Sequence, residues 1–102
     1  MHAVRLKDGL WVGNLHTAAD AEQGRRAAET LLEWAGGAPA VLGGDFNVRD
    51  PSLDGFVWAG GSGPDHVFAR GGLVPGGSTQ VLERGRLSDH APLLVSVMKK
   101  GP

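Results

Sequence analysis

The sequence predicts an α+β domain, a mostly antiparallel sheet carrying one main helix. Three observations predict it. An Asp-Gly pair at 8–9 separates two short strand-like segments. One long segment, 18–35, places apolar residues at helical spacing. Beyond it, short apolar runs alternate with stretches rich in glycine and proline.

The elements follow in order. Residues 2–7 (HAVRLK) form a candidate strand in which Val4 and Leu6 alternate with Arg5 and Lys7, as in a half-buried edge strand. Asp8-Gly9 is a two-residue hairpin signal, and 10–14 (LWVGN) supplies the return strand. In 18–35, Ala21, Ala28, Leu31, Leu32 and Ala35 mark one apolar stripe. Glu22 and Arg26, and Arg25 and Glu29, stand four apart on the wet face. Thr17 is the candidate N-cap, with Asp20 three residues on, and Gly36-Gly37 stops the helix ahead of Pro39. Residues 40–43 are short, apolar and bounded by Gly and Pro, as in a strand buried on both faces. Residues 50–64 and 70–78 read as loops, and 65–69, 79–83 and 92–98 as strands. One helix cannot cover both faces of such a sheet. The other face must meet a second sheet, a partner subunit or solvent.

Composition narrows the function classes. A chain of 102 residues is one domain at most. It buries roughly 60–70% of its unfolded surface, enough to fold with little margin. A net charge of −1 gives no broad basic field for nonspecific capture of nucleic acid, so a phosphate must be met locally. The absence of cysteine excludes disulfides and thiolate metal sites, and is compatible with a reducing cytoplasm. No apolar run approaches the ~20 residues of a membrane span.

Five short motifs fall at the ends of predicted strands, where open sheets place their ligands. They are Asn14-Leu15-His16, Gly44-Asp45-Phe46-Asn47, Pro64-Asp65-His66, Arg70-Gly71 and Ser88-Asp89-His90. Singly, each has an ordinary structural reading. Gly-Asp-x-Asn is a common turn, because Asp and Asn side chains bond their own backbone. Asp65-His66 can cap a strand, and Ser88-Asp89-His90 can be a turn before the last one. As a set they provide carboxylates, amides and imidazoles. Were the substrate a phosphate ester, its hydrolysis would need an activated water, charge stabilisation on phosphoryl oxygens and a protonated leaving group. A His–Asp pair supplies a base with an oriented tautomer. Carboxylate and amide oxygens suit Mg²⁺ or Mn²⁺. Arg70 could hold a phosphate through bidentate donors. Trp11 and Trp34 read as core or rim, and Trp58, after a loop, is the best placed of the three for a substrate contact. His66, on the opposite strand face from Asp65, reads as structure.

In the order NLHT, GGDFN, DHVFARG and LSDHAPLLVSV, these motifs resemble the DNase I-like endonuclease/exonuclease/phosphatase superfamily from about residue 3 to residue 98. The resemblance implies that His90 is the catalytic histidine beside the scissile phosphate and Asp65 its carboxylate partner. It makes Asp89 a metal ligand. It implies that Asp45 and Asn47 orient the nucleophilic water and contact phosphate oxygens. His16 resembles a second histidine near the leaving group or the non-bridging oxygens, and Asn14 and Arg70 become substrate-binding residues. The implied cofactor is Mg²⁺ or Mn²⁺. The implied substrates are phosphate esters: nucleic acids, phospholipids or inositol phosphates.

The resemblance also implies a fold, half of a four-layer αββα sandwich, with residues 1–102 as its C-terminal half. The family's metal-binding Glu and its early Asn have no counterpart here, since no Gln-Glu motif follows an apolar strand before residue 17. The expectation is an enzyme incomplete as a single chain, completed by the other half or by a homodimer. The alternative is a non-catalytic module of the same fold serving in oligomerisation or binding.

Overall fold

The computed structural model describes residues 1–16, 18, 20–82 and 93–99. Its main sheet has five strands in the order β1-β2-β3-β5-β4. These are β1 (His2–Arg5), β2 (Trp11–Leu15), β3 (Ala40–Asp45), β4 (Val57–Ser62) and β5 (Asp65–Arg70). Helix α1 (Ala21–Ala35) connects β2 to β3, which lie parallel; the other neighbours in the sheet are antiparallel. Four short strands complete the described chain: β6 (Leu73–Pro75), β7 (Gln80–Val81), β8 (Leu93–Leu94) and β9 (Val97–Lys99). They pair as β6-β9 and β7-β8, outside the main sheet. The α+β class and the single helix on a mostly antiparallel sheet agree with the sequence reading, as part of a DNase I-like fold.

Several boundaries moved, each for a physical reason. The first hairpin closes through three residues rather than two. Leu6 N–H donates to Leu10 O, and Gly9, at φ 91°, donates back to Leu6 O. That is a turn followed by a left-handed residue. The Asp8 carboxylate accepts from Leu10 N–H and fixes the exit. The strand faces are reversed from expectation: Ala3 packs on the core, whereas Val4 is 58% exposed. The helix begins at Ala21, and its N-cap is Asp20, whose carboxylate accepts from Gln23 N–H at 3.1 Å. Thr17, the expected cap, lies outside the described residues. The buried stripe is Gly24, Ala27, Ala28, Leu31 and Ala35, so Gly24 and Ala27 face inward in place of Ala21. Glu22 pairs with Arg26 and Arg25 with Glu29, as the spacing predicts, and Arg25 bonds Glu22 as well. The Arg25 hydrogen bond holds the Glu22 carboxyl below the usual carboxylate range. These groups are exposed, and the pairs do not decide the fold.

The segment 50–64, expected as loop, contains β4. Its sequence VWAGGS shows no alternation and carries two glycines. The glycines are there because other chain segments press on the strand. A side chain at Gly60 would overlap Thr79 Oγ1 and meet Val95 at 3.0 Å, and Gly61 N–H donates to Thr79 Oγ1. The expected loop 70–78 likewise contains β6, and the expected strand 92–98 is divided into β8 and β9.

Two cores result. Between sheet and helix lie Leu15, Ala27, Ala28, Leu31, Leu42, Phe46, Leu53 and Phe68. On the other face Ala59, Ala69 and Leu73 pack with Val41, Val67, Val95 and Val97. The sheet face that the helix cannot reach is therefore covered, in part, by the chain's own C-terminal segment.

Candidate functional site

The end of β3 and the start of β5 form one edge of the sheet. The antiparallel register sets Asp45 directly opposite Asp65, and Leu42 opposite Phe68. Leu42 and Phe68 are buried in the helix-side core. Side chains alternate along a strand, so Asp45 and Asp65 project to the helix-free face with Val41, Val67 and Ala69. Two carboxylates thus share a face at the same end of adjacent strands. Both are half-buried.

The turn after β3 is held from three directions. Asp45 Oδ1 accepts from Asn47 N–H at 2.8 Å, an Asx turn, and Asn47 takes the left-handed φ of 57° that asparagine tolerates. Asp45 O accepts from Ala18 N–H, just before the helix. Phe46 N–H donates to Pro64 O in the β4–β5 turn, where Gly63 takes φ 57°. The Phe46 ring is 1% exposed and inserts beneath, edge to Phe68 at 5.2 Å between centroids. Its other flank is helix backbone: a side chain at Gly24 would lie 2.9 Å from Phe46 Cδ1. The GDFN sequence is therefore a turn whose Phe is an anchor and whose Asp and Asn remain at the surface.

Asn14 is exposed on β2, in register with Gly43. Since Gly13 and Leu15 are buried towards the helix, Asn14 projects to the face that carries Asp45. His16 does not join them by position: it lines a shallow depression with Met1, Gln23, Arg26 and Thr30 beside the helix. Arg70 is at the opposite end of β5, in register with Ala40. Its guanidinium donates to Gly36 O and Ala38 O, closing the carbonyls after the helix. That binds a chain connection rather than a phosphate, so the expected substrate role of Arg70 has no support in its position. Asp89 and His90 lie outside the described residues. The sheet edge thus brings together Asp45, Asn47 and Asp65, with Asn14 one strand away.

Among the described residues, no three of His, Cys, Asp and Glu gather as a metal cluster. Asp45, Asp65 and the Asn47 amide are hard oxygen donors, the kind that suits Mg²⁺ or Mn²⁺.

The sequence reading passed over one chain of contacts. His66 is 4% exposed, on the helix side of β5. Trp58 Nε1–H donates to its Nδ1 at 3.1 Å, and its Nε2 lies 2.8 Å from Val48 O. Indole nitrogen only donates, so Nδ1 must accept, and the ring proton is on Nε2, donating to Val48 O. Both ring nitrogens are committed. His66 is a brace between the edge strand and the turn that carries Asn47, as its alternation with Asp65 had suggested. Its partners, eight and eighteen residues away, left no local signal.

The model of the endonuclease/exonuclease/phosphatase family matches residues 10–90. The chain belongs to that family. No curated protein and no solved structure matches it. The matched span of this endonuclease/exonuclease/phosphatase chain includes β2 through β7 and all five motifs. The family is broadly one of phosphoesterase- and nuclease-type hydrolases that act on phosphate esters, generally with a divalent metal.

Proposed function

We propose that the chain is a phosphoesterase that hydrolyses phosphodiester or phosphomonoester bonds with a divalent metal, using a water activated by His90. The observation that carries this reading is the register of β3 and β5, which sets Asp45 opposite Asp65 with Asn47 fixed beside them. In this reading Asp65 orients the His90 imidazole and stabilises its protonated form. Asp45 and Asn47 position the attacking water and meet the phosphoryl oxygens. Asn14 contributes a substrate amide from the adjacent strand, and His16, which lines a separate depression beside the helix, is given no part in the step. Asp89 and the oxygens of Asp45 and Asp65 would hold Mg²⁺ or Mn²⁺, which supplies Lewis-acid stabilisation of the phosphoryl charge. His66 is no candidate base, because both its nitrogens are occupied in the interior.

The test is hydrolysis of bis(p-nitrophenyl) phosphate with Mg²⁺ and with chelator. Turnover is expected only with metal. His90→Ala and Asp65→Asn should each lower kcat by about 10²-fold or more. Turnover unchanged in His90→Ala ends the His–Asp reading. The second reading is a non-catalytic module of the same fold. No metal-dependent turnover in the native chain would establish that reading instead.

A second copy over the uncovered part of the helix-free face belongs to the same proposal, because one helix serves only one side of the sheet. Light scattering at tens of micromolar should then give the dimer mass, and a clean monomer counts against it.

A further inference from the structure

Trp58 combines two properties that rarely occur together: it is 51% exposed, and its indole is fixed. Exposed side chains ordinarily keep rotamer freedom, and ordering them costs free energy. Here the order is imposed from within, by the buried His66 that Val48 O fixes in one tautomer. The indole forms a wall of a pocket whose other walls are Arg49, Asp50 and Pro51. These three residues begin two positions beyond Asn47, on the same turn that His66 braces. Pro51 is rigid. No ion pair joins the Arg49 guanidinium to another described residue, and a guanidinium plane stacks on flat rings as readily as it binds oxygens.

The charges of the pocket decide what it takes. Arg49 and Asp50 cancel, so a bare phosphate gains little there. A neutral planar heterocycle gains a preset aromatic wall, a rigid Pro, and one donor and one acceptor for the polar groups on its edge. We propose that Trp58, Arg49, Asp50 and Pro51 form a subsite for a heteroaromatic ring, of nucleobase type, carried by the phosphate ester. The attachment of that ring to an ester rests on the phosphoesterase reading, whereas the binding of the ring itself can be measured without turnover.

Adenosine is the probe, with ribose 5-phosphate and inorganic phosphate as controls. The three tryptophans give three indole N–H signals in a ¹H–¹⁵N spectrum, and the one lost in Trp58→Phe is assigned to Trp58. Adenosine should move that signal saturably and leave those of Trp11 and Trp34 in place. Ribose 5-phosphate should not move it. By equilibrium dialysis, Trp58→Leu should weaken adenosine binding about tenfold. Trp58→Phe, which keeps a ring but loses the bond to His66, should weaken it less. A stationary Trp58 signal overturns the subsite, as does an equal shift with inorganic phosphate. If the Leu variant fails to fold, the native titration still decides. A saturable shift in a chain without turnover keeps the subsite and removes the hydrolase, so the two readings fail separately.

Discussion

Gly44→Ala is expected to lower stability by about 3 kcal/mol or more, while Gly43→Ala next to it changes stability by no more than about 1 kcal/mol. The two glycines differ in what a methyl group would meet. At Gly44 it would overlap Leu15 O on the neighbouring strand, with the backbone at φ 144°, a conformation that disfavours side chains. Neither obstacle is a flexible side chain that could swing aside. At Gly43 the nearest atoms are Val67 Cγ2 at 3.5 Å and His66 O at 3.8 Å, ordinary contacts. For a domain of this size 1 kcal/mol corresponds to roughly 4–8 °C in Tm. Thermal unfolding should therefore separate the variants by about 10 °C or more. Equal melting temperatures would show that β2 and β3 do not approach as closely as described.

Phe46→Ala is expected to lower stability by about 3–5 kcal/mol, measured by urea unfolding. The ring is wedged between the Phe68 edge and the helix backbone at Gly24, so neither neighbour can collapse into the space it leaves. Phe46→Leu, which keeps most of the volume, should lose less than half as much. The motif is then a structural wedge with a polar rim. Near-native stability in the Ala variant would show that the turn stands without it.

These two positions also show what the sequence could and could not disclose. The helix was legible because its stripe recurs every three or four residues, and β3 and β5 were legible because they are apolar runs between glycines. The carboxylate edge was legible only because the DFN and PDH motifs terminate those two runs. β4 was not legible, because Gly60 makes room for Thr79 and Val95, residues far along the chain, and Gly61 for His66 on the neighbouring strand. The inward position of Gly24 was hidden for the same reason: it answers to Phe46, not to its own helix. Arg70 looked like a phosphate ligand until its carbonyl partners, more than thirty residues earlier, were known. Local pattern carries periodicity, and it carries nothing about which distant backbone needs room or a donor.

Alternation along β5 has one further effect. Asp65 points to one side of the strand and His66, with the indole it steadies, to the other. A molecule that touches the acidic edge and the aromatic wall at once must fold over the rim of the sheet. A flexible dinucleotide or a frayed single strand can make that bend cheaply. Duplex DNA, stiff over ~150 base pairs, cannot do so without distortion. On the proposed reading of the two sites, the shape of the rim would favour short, unpaired substrates.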